Sequence, residues 1–101
     1  MSRARATLGL QGEDEAARCL SRNGYRILER NYRTRSGEID IIAREGRVIC
    51  FIEVKTRASL RCGLPGEMIS ERKKRQVAKV ALMFLKEKNL LKEKARFDVV
   101  L

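Results

Sequence analysis

Two pairs of charged residues near the middle of the chain have the types and spacing for hydrolysis of a phosphate ester. Glu38 and Asp40 lie two apart in one apolar segment. Glu53 and Lys55 lie two apart in the next apolar segment. Side chains two apart on a β-strand share a face, and carboxylate oxygens are ligands that Mg²⁺ and Mn²⁺ prefer. A lysine beside such an ion orients or deprotonates a water, or stabilises charge on phosphorus. The pattern therefore predicts metal-dependent cleavage of phosphodiester bonds.

The two apolar segments are predicted to form a hairpin that brings these pairs together. We predict strands over Glu38–Arg44 and Arg47–Thr56, joined by a two-residue turn at Glu45-Gly46. The face opposite the charges is entirely apolar and consists of Ile39, Ile41, Ala43, Val48, Cys50, Ile52 and Val54. Large apolar side chains also lie on the charged face, which indicates partial burial, and buried charges are usually paired or metal-bound. The alternative is an exposed sheet face with ordinary surface charges.

The predicted turn also sets which residues of the hairpin face each other. It places Asp40 opposite Phe51 and Glu38 opposite Glu53, so Asp40 and Glu53 become diagonal neighbours within reach of one ion. Three carboxylates at this spacing repel one another, and the repulsion is offset by Lys55, by a divalent cation or by both.

The rest of the chain supplies two helices and two further strands. The further predicted elements are a helix over Ala4–Asn23 ended by Gly24, a strand over Tyr25–Arg33, a helix from the N-cap Ser70 to about Lys88, and a strand over Arg96–Leu101. The apolar face of the second helix consists of Val77, Val80, Ala81, Phe84 and Leu85. The order α-β-β-β-α-β predicts a single α/β domain over residues 1–101, in which helices flank a mixed sheet.

The composition excludes some chemistry and favours an acidic partner. The 101 residues include 23 Lys and Arg against 13 Asp and Glu, a net charge of +10, and no histidine. Histidine-based catalysis is excluded, and the charge favours nucleic acid first and an anionic membrane surface second. The longest apolar run is too short for a membrane helix and no signal peptide is recognised, so we expect a cytoplasmic protein without a membrane partner. Cys19, Cys50 and Cys62 lack Cys-x-x-Cys spacing and predict reduced, mostly buried thiols.

The two core segments carry a resemblance to a known group of nucleases. Gly37–Ala43 followed by Phe51–Arg57 resembles the core of the Asp…(Asp/Glu)-x-Lys nuclease superfamily, which has the restriction-endonuclease-like fold and includes archaeal Holliday junction resolvases. More closely, the sequence resembles the YraN-like family of small bacterial proteins predicted to be endonucleases. Further matching positions are Gly12-Glu13, Gly24-Tyr25, Asn31-Tyr32, Gly63 with Pro65, Ser70 with Lys73, and Arg96–Val99.

The resemblance implies roles for individual residues. Asp40 and Glu53 would be the ligands of Mg²⁺ or Mn²⁺, and Lys55 would be the catalytic lysine. Glu13 would be a further ligand, directly or through water. The neighbouring Glu15 is a competing candidate, and an ordinary helix-face acid is the alternative for Glu13. A branched DNA substrate and a homodimer are implied by the resolvase relatives alone.

The chain departs from the family pattern in two places. Ile39 stands where the older Pro-Asp motif has proline, which removes no ligand. The family usually continues beyond the position of Leu101, so a short C-terminal segment is expected beyond this strand.

Basic residues outside the hairpin are candidates for contacts to DNA. The basic candidates are Arg22, Arg26, Arg30, Arg33, Arg35, Arg57, Arg61 and the run Arg72–Arg75, which includes Lys73. Arg57 is the preferred phosphate contact, and Tyr32 either stacks on a base or packs internally. Gln76 is a further nucleic-acid-binding candidate, at a place on the second helix where the resemblance to these nucleases implies a polar supporting residue. Glu38 is predicted to be a supporting residue of the hairpin site. Without a base-reading module, recognition of the backbone or of a branched shape is expected. The competing functions are a non-catalytic nucleic-acid-binding protein and a partner of a membrane-surface or ribosomal complex.

Overall fold

The computed structural model describes residues 3–54 and 70–100, and residues 3–11 are described by their backbone only. The elements are α1 (Arg3–Arg22), β1 (Arg26–Thr34), β2 (Gly37–Glu45), β3 (Val48–Val54), α2 (Glu71–Glu87) and β4 (Lys94–Val100). The predicted order α-β-β-β-α-β is confirmed, and the bounds agree to within about two residues at most ends. The predicted continuation of β3 to Thr56, and Leu101, lie outside the described residues.

The four strands form one mixed sheet in the order β1-β2-β3-β4. β1 pairs with β2 and β2 with β3 in antiparallel fashion, whereas β4 pairs with β3 in parallel. A parallel neighbour requires a crossover connection, and α2 lies in the connection between these two strands. The predicted mixed sheet is therefore confirmed, and the arrangement is consistent with an α/β nuclease-like fold.

Both faces of the sheet are buried, one beneath each helix. On the α1 face, the buried residues are Ala16, Leu20, Ile41, Ala43, Cys50 and Ile52. On the α2 face, they are Ile39, Ile42, Ile49, Phe51, Val77, Val80, Phe84 and Leu85. Each fully buried Ile or Phe contributes roughly 1.5–3 kcal/mol relative to an exposed one, so these two layers dominate the stability. The burial also explains why β2 and β3 read as nearly continuous apolar runs.

Both helices end in the same hydrogen-bonded motif, which fixes where the chain turns back to the sheet. Gly24 has φ 91°, and the N–H of Tyr25 donates to the carbonyl of Leu20 at 2.9 Å. Asn89 has φ 60°, and the N–H of Leu90 donates to the carbonyl of Leu85 at 2.7 Å. Both are Schellman motifs, with glycine or asparagine in the left-handed conformation.

The N-cap of α2 is also as predicted. Ser70 Oγ accepts from the N–H of Lys73 at 3.1 Å, which satisfies one of the free donors in the first turn of the helix.

The register of the β2–β3 hairpin differs from the prediction. The observed partners include Ile42 with Phe51 and Glu45 with Val48, so the turn is Gly46-Arg47 rather than Glu45-Gly46. Gly46 has φ 61°, and a turn with glycine at its first central position is the type II′ pattern. The predicted pairings of Asp40 with Phe51 and of Glu38 with Glu53 are therefore wrong. Continuing the observed register by one residue from Ile41 and Ile52 brings Asp40 level with Glu53.

The alternation of side chains is also interrupted within β1 and β2. Arg30 pairs with Ile41 on the α1 face, whereas Tyr32 pairs with Ile39 on the α2 face. Asn31, between them, has φ 54°, a conformation that asparagine tolerates better than most residues. The prediction that Ile39 shares the face of Ile41 is therefore wrong, because the backbone rotates at this level.

Two further predictions can be compared with the described residues. Cys50 is buried, and burial raises the pKa of its thiol, but Cys19 is exposed on α1, so "mostly buried" is wrong for that residue. Cys62 lies outside the described residues. No helix within residues 3–54 and 70–100 has the length and apolar character needed to cross a membrane.

Candidate active site

Asp40 lies where β2 and β3 separate. In the described residues, backbone pairing of the two strands runs from Glu45 and Val48 as far as Ile41 and Ile52. One residue further, Asp40 Oδ2 accepts a hydrogen bond from the N–H of Val54 at 2.9 Å. The carboxylate thus takes the place of a backbone carbonyl and satisfies the donor at the end of β3.

Glu13 approaches Asp40 from α1. Its Oε1 is buried and has no hydrogen-bond partner among the residues that the structure describes, a state that costs free energy unless something positive is bound there. Burial raises the pKa of Glu13, the negative charge of Asp40 raises it further, and the Asn31 amide and Arg30 charge lower it. The competing candidate Glu15 is exposed. The structure therefore places Glu13, rather than Glu15, beside Asp40.

The charge of Arg30 lowers the pKa of Glu13, but this cation is partly engaged elsewhere. Its guanidinium forms an ion pair with Asp14 at 2.7 Å, and its Nε is buried without a partner. Sequence reasoning gave Arg30 only a place among the basic DNA-facing residues. The ion pair with Asp14 directs it inward, beneath α1.

Glu53 reaches the same end of the sheet from β3. Its side chain is 13% exposed, and its Oε2 lies 3.8 Å from Lys73 Nζ on α2. A lysine predicted to contact DNA is thus already close to a predicted metal ligand. Lys55 and Arg57, the predicted catalytic lysine and phosphate contact, lie outside the described residues.

Glu38 does not belong to the group of acids formed by Glu13, Asp40 and Glu53. Its Oε2 accepts from Arg33 Nε at 3.2 Å, across the β1–β2 pair; the Arg33 side chain is 76% exposed and that of Glu38 is 38% exposed. The negative charge of Glu38 also raises the pKa of Glu13, but less than burial and the charge of Asp40 do. The supporting role predicted for Glu38 is therefore an outer one in this geometry.

Gln76 and Gly37 make the closest contact between α2 and this end of the sheet. A Cβ on Gly37 would lie 2.9 Å from Gln76 Nε2, and Gly37 has φ 147°. Only glycine fits both the space and the backbone conformation. Arg33, in β1, and Arg35, in the β1–β2 turn, are both exposed.

Tyr32 is packed internally. Its ring contacts Phe84 edge-to-face at 5.2 Å between centroids, and its hydroxyl donates to Glu87 Oε1 at 2.8 Å. Of the two roles considered for Tyr32, the structure supports packing, because the ring is engaged by α2.

The chemistry of these donors fits a divalent cation, although with few ligands. Among the residues that the structure describes, no three Asp, Glu or Cys side chains converge closely enough to hold a metal ion together. Mg²⁺, however, commonly uses only one or two protein carboxylates and completes its shell with water and substrate phosphate. The unpartnered Glu13 oxygen beside the charge of Asp40 fits such an ion, since a cation would relieve both the burial and the repulsion.

Sequence reasoning missed two neighbours of Glu13. Asn31 and Arg30 both modulate its pKa, and the left-handed backbone of Asn31 turns the strand at this level. The pair Asn31-Tyr32 was recognised as part of a family pattern without a role. An asparagine inside a run that otherwise reads as a strand is the signal that could have indicated a left-handed backbone here.

Comparison with other proteins gives a consistent answer over nearly the whole chain. A family model described as "Uncharacterised protein family UPF0102" matches residues 12–101. A UPF0102 protein of Chlorobium phaeobacteroides is 52% identical over 93 residues, which cover 92% of this chain and 73% of the relative. One from Geobacter sulfurreducens is 48% identical over 93 residues, with the same coverage of 92% and 73%. One from Symbiobacterium thermophilum is 47% identical over 93 residues, covering 92% and 79%. The chain therefore belongs to the UPF0102 family, which is the YraN-like family that its motifs resemble.

Proposed function

We propose that this chain is a metal-dependent endonuclease that hydrolyses phosphodiester bonds in DNA. The observation that carries the proposal is the pair of Glu13 and Asp40, with a buried carboxylate oxygen that has no partner. An acidic group of this kind is costly for stability, and groups with such perturbed pKa values cluster at functional sites. Its position in a chain of net charge +10 is what an enzyme acting on a polyanion needs.

Asp40 and Glu53 would hold Mg²⁺ or Mn²⁺, with Glu13 as a further ligand, directly or through water. When bound, such an ion neutralises negative charge that develops on the phosphate. Asp40 is positioned for this by its hydrogen bond from Val54, which holds one oxygen. Lys55 would orient or deprotonate the attacking water, a role that comes from the family resemblance.

Binding of the substrate would rest on the basic residues around this end of the sheet. Arg33, Arg35 and Arg57 would contact the DNA backbone, and Lys73 would lie between the backbone and Glu53. Such contacts carry no base information, so cleavage would follow backbone geometry or branching rather than sequence. We further propose that the substrate is a four-way junction and that the protein acts as a homodimer with two active sites. Its proposed location is the cytoplasm.

The test is a cleavage assay with matched acid variants. The purified protein is incubated with linear, single-stranded and four-way-junction DNA in Mg²⁺, in Mn²⁺ and in chelator. Asp40→Asn, Glu13→Gln and Lys55→Ala are expected to abolish or strongly reduce cutting, and Glu15→Gln, on the exposed side of α1, is expected to cut like the wild type. Metal-independent cutting, or cutting unchanged in Asp40→Asn, would refute the proposed site. Binding without cutting in every metal would favour the non-catalytic alternative.

A further inference from the structure

In the part of the chain that the structure describes, a cleft between α2 and the β1–β2 turn is lined by several side chains that can bind an anion. Its lining residues are Ser36, Arg72, Arg75, Gln76 and Lys79, and its volume is about 250 Å³. We call it the basic cleft. It is distinct from the acidic group of Glu13, Asp40 and Glu53, because none of those carboxylates lines it.

The helix supplies the cations at a spacing that points them to one place. Arg72, Arg75 and Lys79 are separated by three and four residues, so successive members lie on the same face of α2. Ser36, on the opposite wall, adds a hydroxyl that can donate a hydrogen bond. An arginine guanidinium offers several N–H groups in a fork that matches phosphate oxygens, so two of them in one cleft favour a phosphate group.

The cations of the basic cleft are not used to stabilise the fold. Within residues 3–54 and 70–100, Arg72, Arg75 and Lys79 form no ion pair, and all three are exposed. The nearest acid on the first turn of α2, Glu71, is paired with Lys74 at 3.3 Å. Three like charges at one cleft repel one another, and Arg72, in the first turn of α2, also lies at the helix end that disfavours cations. Their concentration there costs stability, which a bound anion would recover.

Gln76 joins the basic cleft to the end of the sheet at which β2 begins. It lines the cleft and also packs against Gly37, the residue before Glu38. Lys73, one turn from Gln76 on the same helix, lies 3.8 Å from Glu53. The cleft is therefore the next binding position along α2 from the proposed site of cleavage.

We infer that the basic cleft binds a phosphodiester group of a nucleic acid strand, one that is not the phosphate being cleaved. In naming DNA as the source of that phosphate the inference rests on the proposed function; the cleft's affinity for phosphate does not depend on it. The strand runs along α2, with the cleft holding one phosphate while another lies at the carboxylates. The cleft thereby sets the direction of the strand and contributes to affinity rather than to the chemical step.

The test compares two variants of the full chain that lose equal charge. One is Arg72→Gln/Arg75→Gln/Lys79→Gln, in the basic cleft. The control is Lys86→Gln/Lys88→Gln/Lys92→Gln, which removes three exposed charges at the other end of α2 and beyond it. The first variant is expected to fold, since it replaces three exposed side chains that form no ion pair within residues 3–54 and 70–100, and circular dichroism checks this.

Binding to a fluorescent DNA oligonucleotide is measured in chelator, where no cutting interferes, over a range of salt. The cleft variant is expected to bind about tenfold more weakly, with the slope of log K against log salt smaller by about 0.7–0.9, the value for one lost phosphate contact. The control is expected to keep the wild-type slope. Equal affinities and slopes for the two variants would overturn the inference.

Two further arms identify the source of the phosphate. In the wild type, inorganic phosphate at constant ionic strength is expected to shift the backbone amide signals of Ser36 and residues 72–79, and the cleft variant is expected to lose the shifts. Vesicles of phosphatidylglycerol are the membrane arm. If the cleft variant loses vesicle binding and keeps DNA binding, the inference is wrong.

These measurements distinguish failure of the cleft inference from failure of the proposed nuclease function. If no metal supports cutting, but the cleft variant alone loses DNA affinity, the cleft stands and the nuclease proposal fails. If the protein cuts DNA and the cleft variant keeps the wild-type KM, the nuclease stands and the cleft inference fails. With both correct, the cleft variant raises KM and leaves kcat close to the wild-type value.

Discussion

The two ends of the β2–β3 hairpin differ in how completely their acidic side chains are paired with cations. At the hairpin end, near the Gly46-Arg47 turn, Arg96 contacts Glu45 at 2.7 Å and Asp98 at 2.8 Å, and Arg44 contacts Glu93 at 3.4 Å. Pairing with Asp98 and then with Glu45 raises the pKa of Arg96 even above its usual high value. Every acid named here has a cation.

At the acidic end, formed by Glu13, Asp40 and Glu53, the pairing is incomplete. Glu13 is next to the charge of Asp40, and its Oε1 is buried without a partner. Each end lies on the same sheet and uses the same types of side chain, so the difference is one of arrangement. The hairpin end shows that this fold can pair its acids, and the buried Glu13 oxygen, which has no partner within the described residues, is consistent with the proposed metal ion.

The largest expected difference between the two ends is in DNA cleavage. Asp40→Asn keeps an oxygen that can accept from Val54 but removes the charge, so the fold is retained and cleavage is expected to fall about 10²–10³-fold. Glu45→Gln, at the hairpin end, is expected to leave the rate within about twofold of wild type, because the surface pair it breaks contributes little to the fold. Equal losses in the two variants, measured as single-turnover rates, would erase the proposed distinction.

Metal binding should also differ between the acidic end and the hairpin end, and it can be measured without DNA. At a free Mg²⁺ or Mn²⁺ concentration of a hundred times Kd, a site that exists only in the folded chain stabilises it by about 2.7 kcal/mol. Wild type and Glu45→Gln are expected to show this gain in thermal unfolding relative to chelator, and Asp40→Asn to lose most of it. A gain of equal size in all three proteins would place the metal elsewhere.

The pH dependence of stability should differ between Glu13 and its neighbour on α1. Burial and the charge of Asp40 raise the pKa of Glu13, so in the folded chain this carboxyl is protonated more readily than in the unfolded chain. Its contribution to stability is present below the ordinary Glu pKa of about 4.3 and is lost as pH rises through the raised value. In chelator, Glu13→Gln is therefore expected to be more stable than wild type at pH 7.

This gain should shrink as the pH falls towards 4, where wild type also carries a neutral side chain at this position. Glu15→Gln is the control, since Glu15 is exposed, and its stability relative to wild type should not follow this pattern. Urea unfolding of the three proteins at several pH values provides the measurement. A Glu13→Gln variant that is less stable than wild type at pH 7 would show that Glu13 is paired after all.

The smallest effect is expected at the hairpin end itself. Glu45→Gln removes one partner of Arg96, and because Glu45 and Arg96 are each more than a third exposed, solvent screening limits the change in the urea midpoint to a small decrease. The loss should disappear in 1 M salt, where charges on the surface are screened over about 3 Å. Urea midpoints at low and high salt test this, and a loss that persists in 1 M salt would mean that packing rather than charge is involved.

Local patterns were sufficient for most of the fold. The helix stop at Gly24, the N-cap at Ser70 and the apolar face of α2 depend on a few neighbouring residues, and each was predicted correctly. The mixed sheet followed from the order of the elements, because a strand that follows a crossover helix tends to return parallel to its neighbour.

The hairpin register was not predictable in the same way. Glu45-Gly46 and Gly46-Arg47 both place glycine in a two-residue turn, once at the second central position and once at the first. The two choices differ by two residues in the sum of paired positions and leave the face of every side chain in β3 unchanged. Because the local pattern allows both registers, the choice between them depends on tertiary packing. In the observed register, Ile42 is paired with Phe51 beneath α2.

By itself, the sequence determined the types of side chain and their approximate places: acids on β2 and β3, a lysine after them, and a large positive charge elsewhere. The tertiary structure alone decided that Glu13 rather than Glu15 meets Asp40, and that Asp40 holds the end of β3. It also decided that the cations of α2 face Ser36 across a cleft. The sequence alone could indicate the first set of features because hydrogen bonds in turns and caps, and the spacing of apolar residues, involve residues that are close in the chain. Burial and charge repulsion act between residues that only the packed helices and sheet bring together.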